Sequence, residues 1–136
     1  MELISVRIIT TDVKRLMSFY EQVTEGQATF YTPDFAELKT GTATLAIGST
    51  RTMQAFGQTE IAKPAHNQSA IIEFKVGSVD ESYARISTYI QSYLVQEPTT
   101  MPWGNRSLLF RDPDGNLVNF FTPVSQAAIE KFGDNS

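Results

Sequence analysis

The pattern of apolar and polar residues repeats once along the chain. Apolar and polar side chains alternate in ELISVRI (2–8) and again in SAIIEFKV (69–76), as they do in strands with two different faces. After each stretch the spacing changes to that of an amphipathic helix, first over residues 10–23 and then over residues 78–94. Each half of the chain is therefore predicted to begin with a strand and a helix.

The predicted helices carry the residues that begin and end helices. Asp12 stands at the start of the first helix, and Ser78 with Glu81 forms a capping box at the start of the second. A short third helix is predicted near the C-terminus, starting at Ser125 and ending at Gly133.

Further strands follow each of the first two helices. FAELKT (35–40) and TATLAIG (42–48) are predicted strands of the first half. In the second half an extended stretch (97–105) precedes the strands RSLLFR (106–111) and LVNFFTP (117–123). The same order thus recurs after an interval of about 50 residues, which predicts two similar modules.

The last two predicted strands are joined by DPDGN, residues 112–116. Asp112 can bond the backbone, Pro113 fixes φ for the second position of a type I turn, and Gly115 supplies a positive φ. Asp112 and Asp114 are therefore interpreted as turn-forming residues before they are considered as acids.

Composition excludes several classes of protein and site. A net charge of −4 argues against nonspecific binding to nucleic acid. No apolar run approaches the roughly 20 residues that span a bilayer, and the N-terminus lacks the pattern of a signal peptide, so we expect a cytoplasmic protein without membrane partners. The absence of cysteine excludes disulfides and thiolate metal sites, and a single histidine, His66, leaves little for a zinc, iron or copper site.

Three stretches of the chain are informative when taken together. They are SVRIITTDVKRLMSFYEQV (5–23), IIEFKVGSVDESYARI (71–86) and PWGNRSLLFRDPDGNLVNFFTP (102–123). Together they resemble the vicinal oxygen chelate superfamily, which includes glyoxalase I, extradiol dioxygenases, fosfomycin-resistance enzymes and bleomycin-resistance proteins. The resemblance extends over residues 3–124, and its most specific part runs from the Trp-Gly pair to the Asp-Pro-Asp-Gly-Asn turn.

This resemblance implies an α+β fold of two βαβββ-type modules, whose curved mixed sheets enclose a cleft, usually in a homodimer. Residues 1–136 are then a single domain of the glyoxalase/bleomycin resistance type. Its predicted parts are module one (1–50), a connecting loop (51–68), module two (69–125) and a C-terminal tail (126–136). The loop is long for a connection inside a compact domain, and such segments often serve as linkers, lids or binding loops.

Metal-using members of the superfamily carry a histidine on the first strand, a histidine or similar ligand on the first strand of the second module, and a glutamate on the last strand. The resemblance places these positions at Ser5, Ile71 and Asn119. None is a good ligand, because divalent transition metals prefer deprotonated or imidazole donors. We therefore expect no metal and no cofactor.

Alternate residues of a strand share a face, so the resemblance also places Arg7 and Glu73 in the cleft. They form either an ion pair that fixes the strands, or separate contacts with an acidic and an amine group of a ligand. Asn119 forms a hydrogen bond either with a ligand, or with a side chain of a neighbouring strand or with water. Trp103 offers an aromatic face to a flat or cationic ligand, or packs as a rim or interface residue. The candidate ligand-binding residues are Ser5, Arg7, Ile71, Glu73, Trp103 and Asn119.

Three functions follow as alternatives. The first is a metal-free homodimeric protein that binds a small organic molecule, such as a drug-like compound or metabolite, without altering it. The second is an enzyme of the same superfamily (a lyase, isomerase or dioxygenase) that uses Glu37, Glu73 and His66 as unconventional metal ligands, or Arg7 and Glu73 as an acid–base pair. The third is a structural or regulatory module without a ligand.

Overall fold

The computed structural model of the chain describes residues 1–57 and 60–133. These described residues form two compact units, and the division between the units lies between Asn67 and Gln68. No helix among the described residues is long and apolar enough to cross a membrane. Gln58 and Thr59 of the predicted connecting loop, and the last three residues of the predicted tail, lie outside the described residues.

The first unit is a four-stranded mixed sheet with one helix packed against it. The strand order is β1-β4-β3-β2, with β1 parallel to β4 and the other neighbours antiparallel. A 3-10 helix, Thr50–Phe56, follows the sheet. The elements are β1 (Ser5–Thr10), α1 (Val13–Thr24), β2 (Thr29–Thr32), β3 (Phe35–Lys39) and β4 (Thr44–Ser49).

The core of the first unit lies between α1 and one face of this sheet. Asp12 caps α1 as predicted, because its carboxylate accepts a hydrogen bond from the Arg15 backbone N–H. The apolar stripe of α1 is buried on β3 and β4, which removes its side chains from water. The buried residues are Val13, Leu16, Met17, Phe19, Tyr20 and Val23 of α1 with Ala36, Leu38, Leu45 and Ile47 of the sheet.

The second unit repeats this architecture with an extra helix. The strand order is β5-β8-β7-β6, with β5 parallel to β8 and the other neighbours antiparallel. The elements are β5 (Ile71–Lys75), α2 (Val79–Ile86), a 3-10 turn (Gln91–Tyr93), β6 (Leu94–Thr100), β7 (Asn105–Arg111), β8 (Leu117–Pro123) and α3 (Gln126–Phe132).

Aromatic rings fill the core between α2 and the second sheet. Phe120 is 1% exposed, and its ring lies edge-on to Phe110 and Phe74 at centroid distances of 5.1 and 5.6 Å. Ser78 caps α2 as predicted by accepting a hydrogen bond from the Glu81 backbone N–H. The predicted α+β fold with mixed sheets in both halves is confirmed.

One local prediction was wrong, and one strand was missed. The second helix was predicted to reach residue 94, but α2 ends at Ile86 and the chain continues through turns to a 3-10 turn. Ser87 and Thr88 are weak helix formers, and Leu94 instead pairs with Phe110 to begin β6. Of the predicted extended stretch 97–105, residues 97–100 belong to β6 and Asn105 begins β7. β2 was not predicted, because all of its residues are exposed and give no alternating pattern.

The turn between β7 and β8 forms as predicted. The Asp112 carboxylate accepts hydrogen bonds from the backbone N–H groups of Asp114 and Asn116, both at 2.9 Å, and from the Asn116 side chain at 2.8 Å. Gly115 has a φ of +87°, which glycine adopts without strain. Asp112 is 1% exposed, so its role is to build the hairpin.

Candidate functional site

The face of the second sheet opposite α2 carries the predicted site residues of that unit. Glu73 and Asn119 are register partners on the parallel strands β5 and β8, so their side chains project from the same face. The Asn119 side-chain Nδ2 donates a hydrogen bond of 2.9 Å to Oε2 of Glu73. Of the two interpretations of Asn119, the contact with a neighbouring strand is therefore present, and ligand binding stays a prediction.

Asn119 is buried as well as bonded. It is 8% exposed, and its Oδ1 is enclosed without a hydrogen-bond partner among the described residues. A buried acceptor without a donor is costly, by about 1–3 kcal/mol. The hydrogen bond through Nδ2 fixes the orientation of the amide, so Asn119 positions the Glu73 carboxylate.

Helix α3 lies on this same face of the sheet. Its last aromatic ring, Phe132, contacts Phe121 of β8 edge-on at 5.1 Å, and Lys75 donates a hydrogen bond of 3.0 Å to the Phe132 carbonyl. The helix begins as predicted at Ser125, whose hydroxyl accepts a hydrogen bond from the Ala128 backbone N–H. The chain before α3 is held by Gly104, whose carbonyl accepts hydrogen bonds from the backbone N–H groups of Val124 and Ser125.

A cavity of about 320 Å³ lies between α3 and the sheet. Two predicted site residues, Glu73 and Trp103, line it. Trp103 is 67% exposed and so stands at the rim. The lining residues are Glu73, Trp103, Asn105, Ala127, Ala128, Lys131 and Phe132.

The polar groups of this cavity are incompletely paired within the second unit. There Glu73 accepts the hydrogen bond from Asn119 and forms no ion pair with another described residue. The Lys131 ammonium lies 4.9 Å from the centre of the Phe132 ring and has no carboxylate partner among the unit's described residues. Asn105 is 6% exposed, and its Oδ1 has no hydrogen-bond partner among the described residues.

Asn105 and Lys131 were not predicted as site residues. Asn105 could have been found by parity, because it shares a face of β7 with Leu109, the register partner of Asn119. Lys131 gave no such signal, since its position depends on α3 folding back onto the sheet.

Ser5 and Arg7 lie in the first unit. They line a cavity of about 420 Å³ together with Ile9, Met53, Phe56 and Ala62. The Arg7 guanidinium carbon lies 5.1 Å from the centre of the Phe35 ring, a cation–π arrangement. Ile71 lies in the second unit and is 51% exposed. The predicted Arg7–Glu73 ion pair would join residues of different units and stays a prediction.

An ion pair fastens the segment after β4 to the first sheet. Asp34 accepts hydrogen bonds from Arg51 Nε at 2.9 Å and from the Ser49 hydroxyl at 2.7 Å. These hydrogen bonds, first that of Arg51 and then that of Ser49, lower the pKa of the Asp34 carboxyl below its usual value. Arg51 also lines a cavity of about 560 Å³ with Lys63 and His66.

The superfamily's metal positions do not fit a metal ion in this chain. Ile71 has no donor atom, and the Asn119 amide is bonded to Glu73. Within the described part of either unit, no three His, Asp or Glu side chains are grouped so that they could hold a metal. An unconventional set of Glu37, Glu73 and His66 would draw on both units and stays a prediction.

Comparison with known proteins identifies the same architecture. The model of the Glyoxalase/Bleomycin resistance protein/Dioxygenase superfamily matches residues 3–120. No curated protein matches the chain.

Solved structures of similar fold come from several bacteria. One is a glyoxalase/bleomycin resistance protein/dioxygenase family enzyme from Burkholderia phytofirmans PsJN, with a TM-score of 0.78, 18% identity, and coverage of 91% of this chain and 100% of that one. A glyoxalase-related enzyme from Fulvimarina pelagi has a TM-score of 0.74 at 15% identity, covering 93% of this chain and 94% of that one. A virulence protein from Salmonella typhimurium has a TM-score of 0.70 at 21% identity, covering 91% of this chain and 98% of that one. At these identities the likeness shows the fold.

Proposed function

Because the chain belongs to the Glyoxalase/Bleomycin resistance protein/Dioxygenase superfamily, we propose that it is a small-molecule-binding protein of that superfamily. In this proposal an organic ligand occupies the cavity between α3 and the second sheet, and no metal takes part. The homodimer implied by the superfamily resemblance is part of the same proposal.

One observation carries the proposal: a carboxylate is held in place where it lines a cavity. Asn119 orients Glu73 by a hydrogen bond of 2.9 Å, and Glu73 lines the cavity with the exposed ring of Trp103. An oriented charge beside an aromatic surface is a common arrangement in small-molecule sites, which combine an apolar lining with a few placed polar groups. The superfamily's metal positions, filled here by Ser5, Ile71 and Asn119, support binding without a metal.

Native mass spectrometry of the purified protein, with elemental analysis of the same sample, tests this function. We expect a metal-free dimer that carries an organic adduct or takes one up from a compound library. Uptake is expected to weaken in Glu73→Gln, which removes the negative charge of the cavity. Glu130→Gln is the matched control. Glu130 lies on α3, which covers the cavity, but its carboxylate accepts a hydrogen bond from the Gln126 side chain and it does not line the cavity.

Two results would contradict the proposal. Stoichiometric zinc, iron or manganese that survives purification would contradict a metal-free site and would favour the enzymatic alternative. Failure to bind any compound, with an intact fold, would favour a module without a ligand.

A further inference from the structure

The cavity beside α3 has hydrogen-bond acceptors that lack donors. Glu73 has one carboxylate oxygen bonded to Asn119, and its other oxygen, Oε1, has no partner within the described part of the second unit. Asn105 lines the same cavity, is 94% buried, and leaves its Oδ1 without a donor. Glu73 is exposed as a residue, whereas Asn105 is buried. Buried acceptors in folded proteins are almost always paired, so the unpaired Oδ1 of Asn105 marks a place where a donor from outside the chain would be favourable.

The positively charged side chain of Lys131 lines the same cavity but does not pair with Glu73. Lys131 stands on α3, and its ammonium lies over the ring of Phe132 instead of pairing with Glu73. The cavity therefore holds one negative and one positive side chain that are not joined to each other. A ligand with both charges can satisfy both, whereas a ligand with one charge leaves the other side chain without a partner.

The size and the apolar walls of the cavity restrict the rest of the ligand. Its volume of about 320 Å³ is at the lower end of small-molecule pockets, which span roughly 300–1,000 Å³. Trp103 at the rim and Phe132 at the C-terminal end of α3 provide aromatic surface. These walls suit a single apolar or aromatic group.

We propose, on the basis of the function above, that the ligand is an amino-acid-like zwitterion, with its ammonium at Glu73 and Asn105, its carboxylate at Lys131, and an apolar side chain against Trp103 and Phe132. The two charges of the ligand then replace the pairing that the two side chains do not make with each other. Binding involves no covalent step.

Trp103 is the chain's single tryptophan, so its fluorescence reports directly on this cavity. The probes are L-phenylalanine, its carboxamide, which keeps the ammonium, and its N-acetyl derivative, which keeps the carboxylate. We expect L-phenylalanine to bind, and each derivative to bind about tenfold more weakly because one charged contact is lost. Calorimetry of the same titrations checks that the fluorescence change reports binding.

Two variants assign the two ends of the ligand. In Glu73→Gln, L-phenylalanine and its N-acetyl derivative are expected to bind with similar affinity, because the acceptor of the ammonium is no longer charged. In Lys131→Gln, L-phenylalanine and its carboxamide are expected to bind with similar affinity. Glu130→Gln and Lys14→Gln are controls for the change in net charge and should keep the wild-type order, since neither residue lines the cavity.

The outcomes separate this inference from the proposed function. If either derivative binds as tightly as L-phenylalanine in the wild-type protein, or if other organic compounds bind while the zwitterion does not, the ligand class is wrong and the binding function stands. If the protein binds no compound at all, both are wrong. If the variants leave the order of the three probes unchanged, the assignment to Glu73 and Lys131 is wrong.

Discussion

The two units of the chain are alike on one face of the sheet and different on the other. Toward the helix, Ile47 on β4 and Phe120 on β8 occupy equivalent places, each paired with the parallel edge strand of its own sheet. On the opposite face, the register partners Arg7 and Ala46 of the first sheet correspond to the register partners Glu73 and Asn119 of the second. We call such a pair of register partners on neighbouring strands a rung. The repeated face specifies the fold, and the face that differs carries the candidate site.

The elements that pack on these opposite faces also differ between the two units. In the second unit α3 packs on the sheet through Phe132 and Phe121. In the first unit Met53 of the 3-10 helix and Ile9 of β1 line one cavity, and the Asp34–Arg51 ion pair holds the 3-10 helix to the end of the sheet. An aromatic contact in one unit thus corresponds to a solvent-exposed ion pair in the other.

The largest expected effects come from the face that both units share. Phe120→Ala should lower the free energy of unfolding by about 4 kcal/mol, and Ile47→Ala by about 3 kcal/mol, because each leaves a cavity in a packed core. Urea denaturation followed by circular dichroism measures both. Val124→Ala, at a position that is 46% exposed, is the control and should cost less than about 0.5 kcal/mol. A loss below about 1 kcal/mol in either core variant would contradict the equivalence of the two helix-facing cores.

The next effect concerns the residues that hold the start of α3, a helix without a counterpart among the described residues of the first unit. Gly104 has a φ of +95°, and a Cβ there would lie 1.9 Å from the Ser125 hydroxyl oxygen. Gly104→Ala should therefore cost about 3 kcal/mol, from backbone strain together with displacement of the residues that begin α3. The same denaturation experiment applies.

Gly115→Ala separates the two contributions. Gly115 has a φ of +87°, but a Cβ at this turn would meet nothing within 4 Å. Its loss should be about 1 kcal/mol, the cost of the backbone conformation alone. Equal decreases in the free energy of unfolding of the two variants would mean that the close approach of Gly104 to Ser125 contributes little to the packing of α3.

The fold was largely predictable because its signals are local. Period, caps and turn residues predicted β1, α1, the start of α2, the β7–β8 turn and both ends of α3. The helical pattern gave a wrong end for α2, because strand pairing between β6 and β7 outweighs the local helix preference of the residues before Leu94. The strand pattern failed at β2, whose exposed edge position leaves no apolar face to detect.

The site was predictable only as far as strand parity reaches. The superfamily resemblance placed Asn119 in the cleft and strand parity placed Glu73 there, and their register and hydrogen bond put the two side chains on one face. Neither the resemblance nor parity identified which of their possible partners each would contact. Lys131 could not be found, because a helix seven residues long carries no sequence signal for the surface on which it packs.

Changing the rung that distinguishes the two sheets should have a moderate, pH-dependent effect. Asn119→Asp replaces the donor at Glu73 with a second carboxylate, and like charges raise the pKa of one of the two above its unfolded value. We expect a loss of about 2 kcal/mol at pH 7, because the pair must then either share a proton or hold two charges. A raised carboxyl pKa makes this penalty largest above that pKa, so the difference from wild type should shrink as the pH falls from 7 to 4.

Unfolding experiments across this pH range, in the presence of a chelator, measure that difference. The double variant Asn119→Asp with Glu73→Gln is the control, since it restores a donor and removes one of the two charges. It should show little of the pH dependence. A pH-independent loss in the single variant would mean that the two side chains do not interact across the rung.

The smallest expected effect concerns the ion pair of the first unit. The hydrogen bond from Arg51 is the largest cause of the lowered pKa of Asp34, and that from Ser49 is the second. A carboxyl whose pKa is lower in the folded state stabilises the protein above its unfolded pKa, and this contribution is lost as the pH falls through the folded pKa. Carbon-detected NMR titration should therefore show the Asp34 pKa rising toward its ordinary value in Arg51→Met, and rising less in Ser49→Ala. Because the pair is exposed to solvent and screened by salt, Arg51→Met should change stability far less than Gly104→Ala does. An unchanged Asp34 pKa in Arg51→Met would show that the ion pair does not hold the 3-10 helix in solution, and the cover of the first sheet would then depend on apolar contacts, as α3 does on the second.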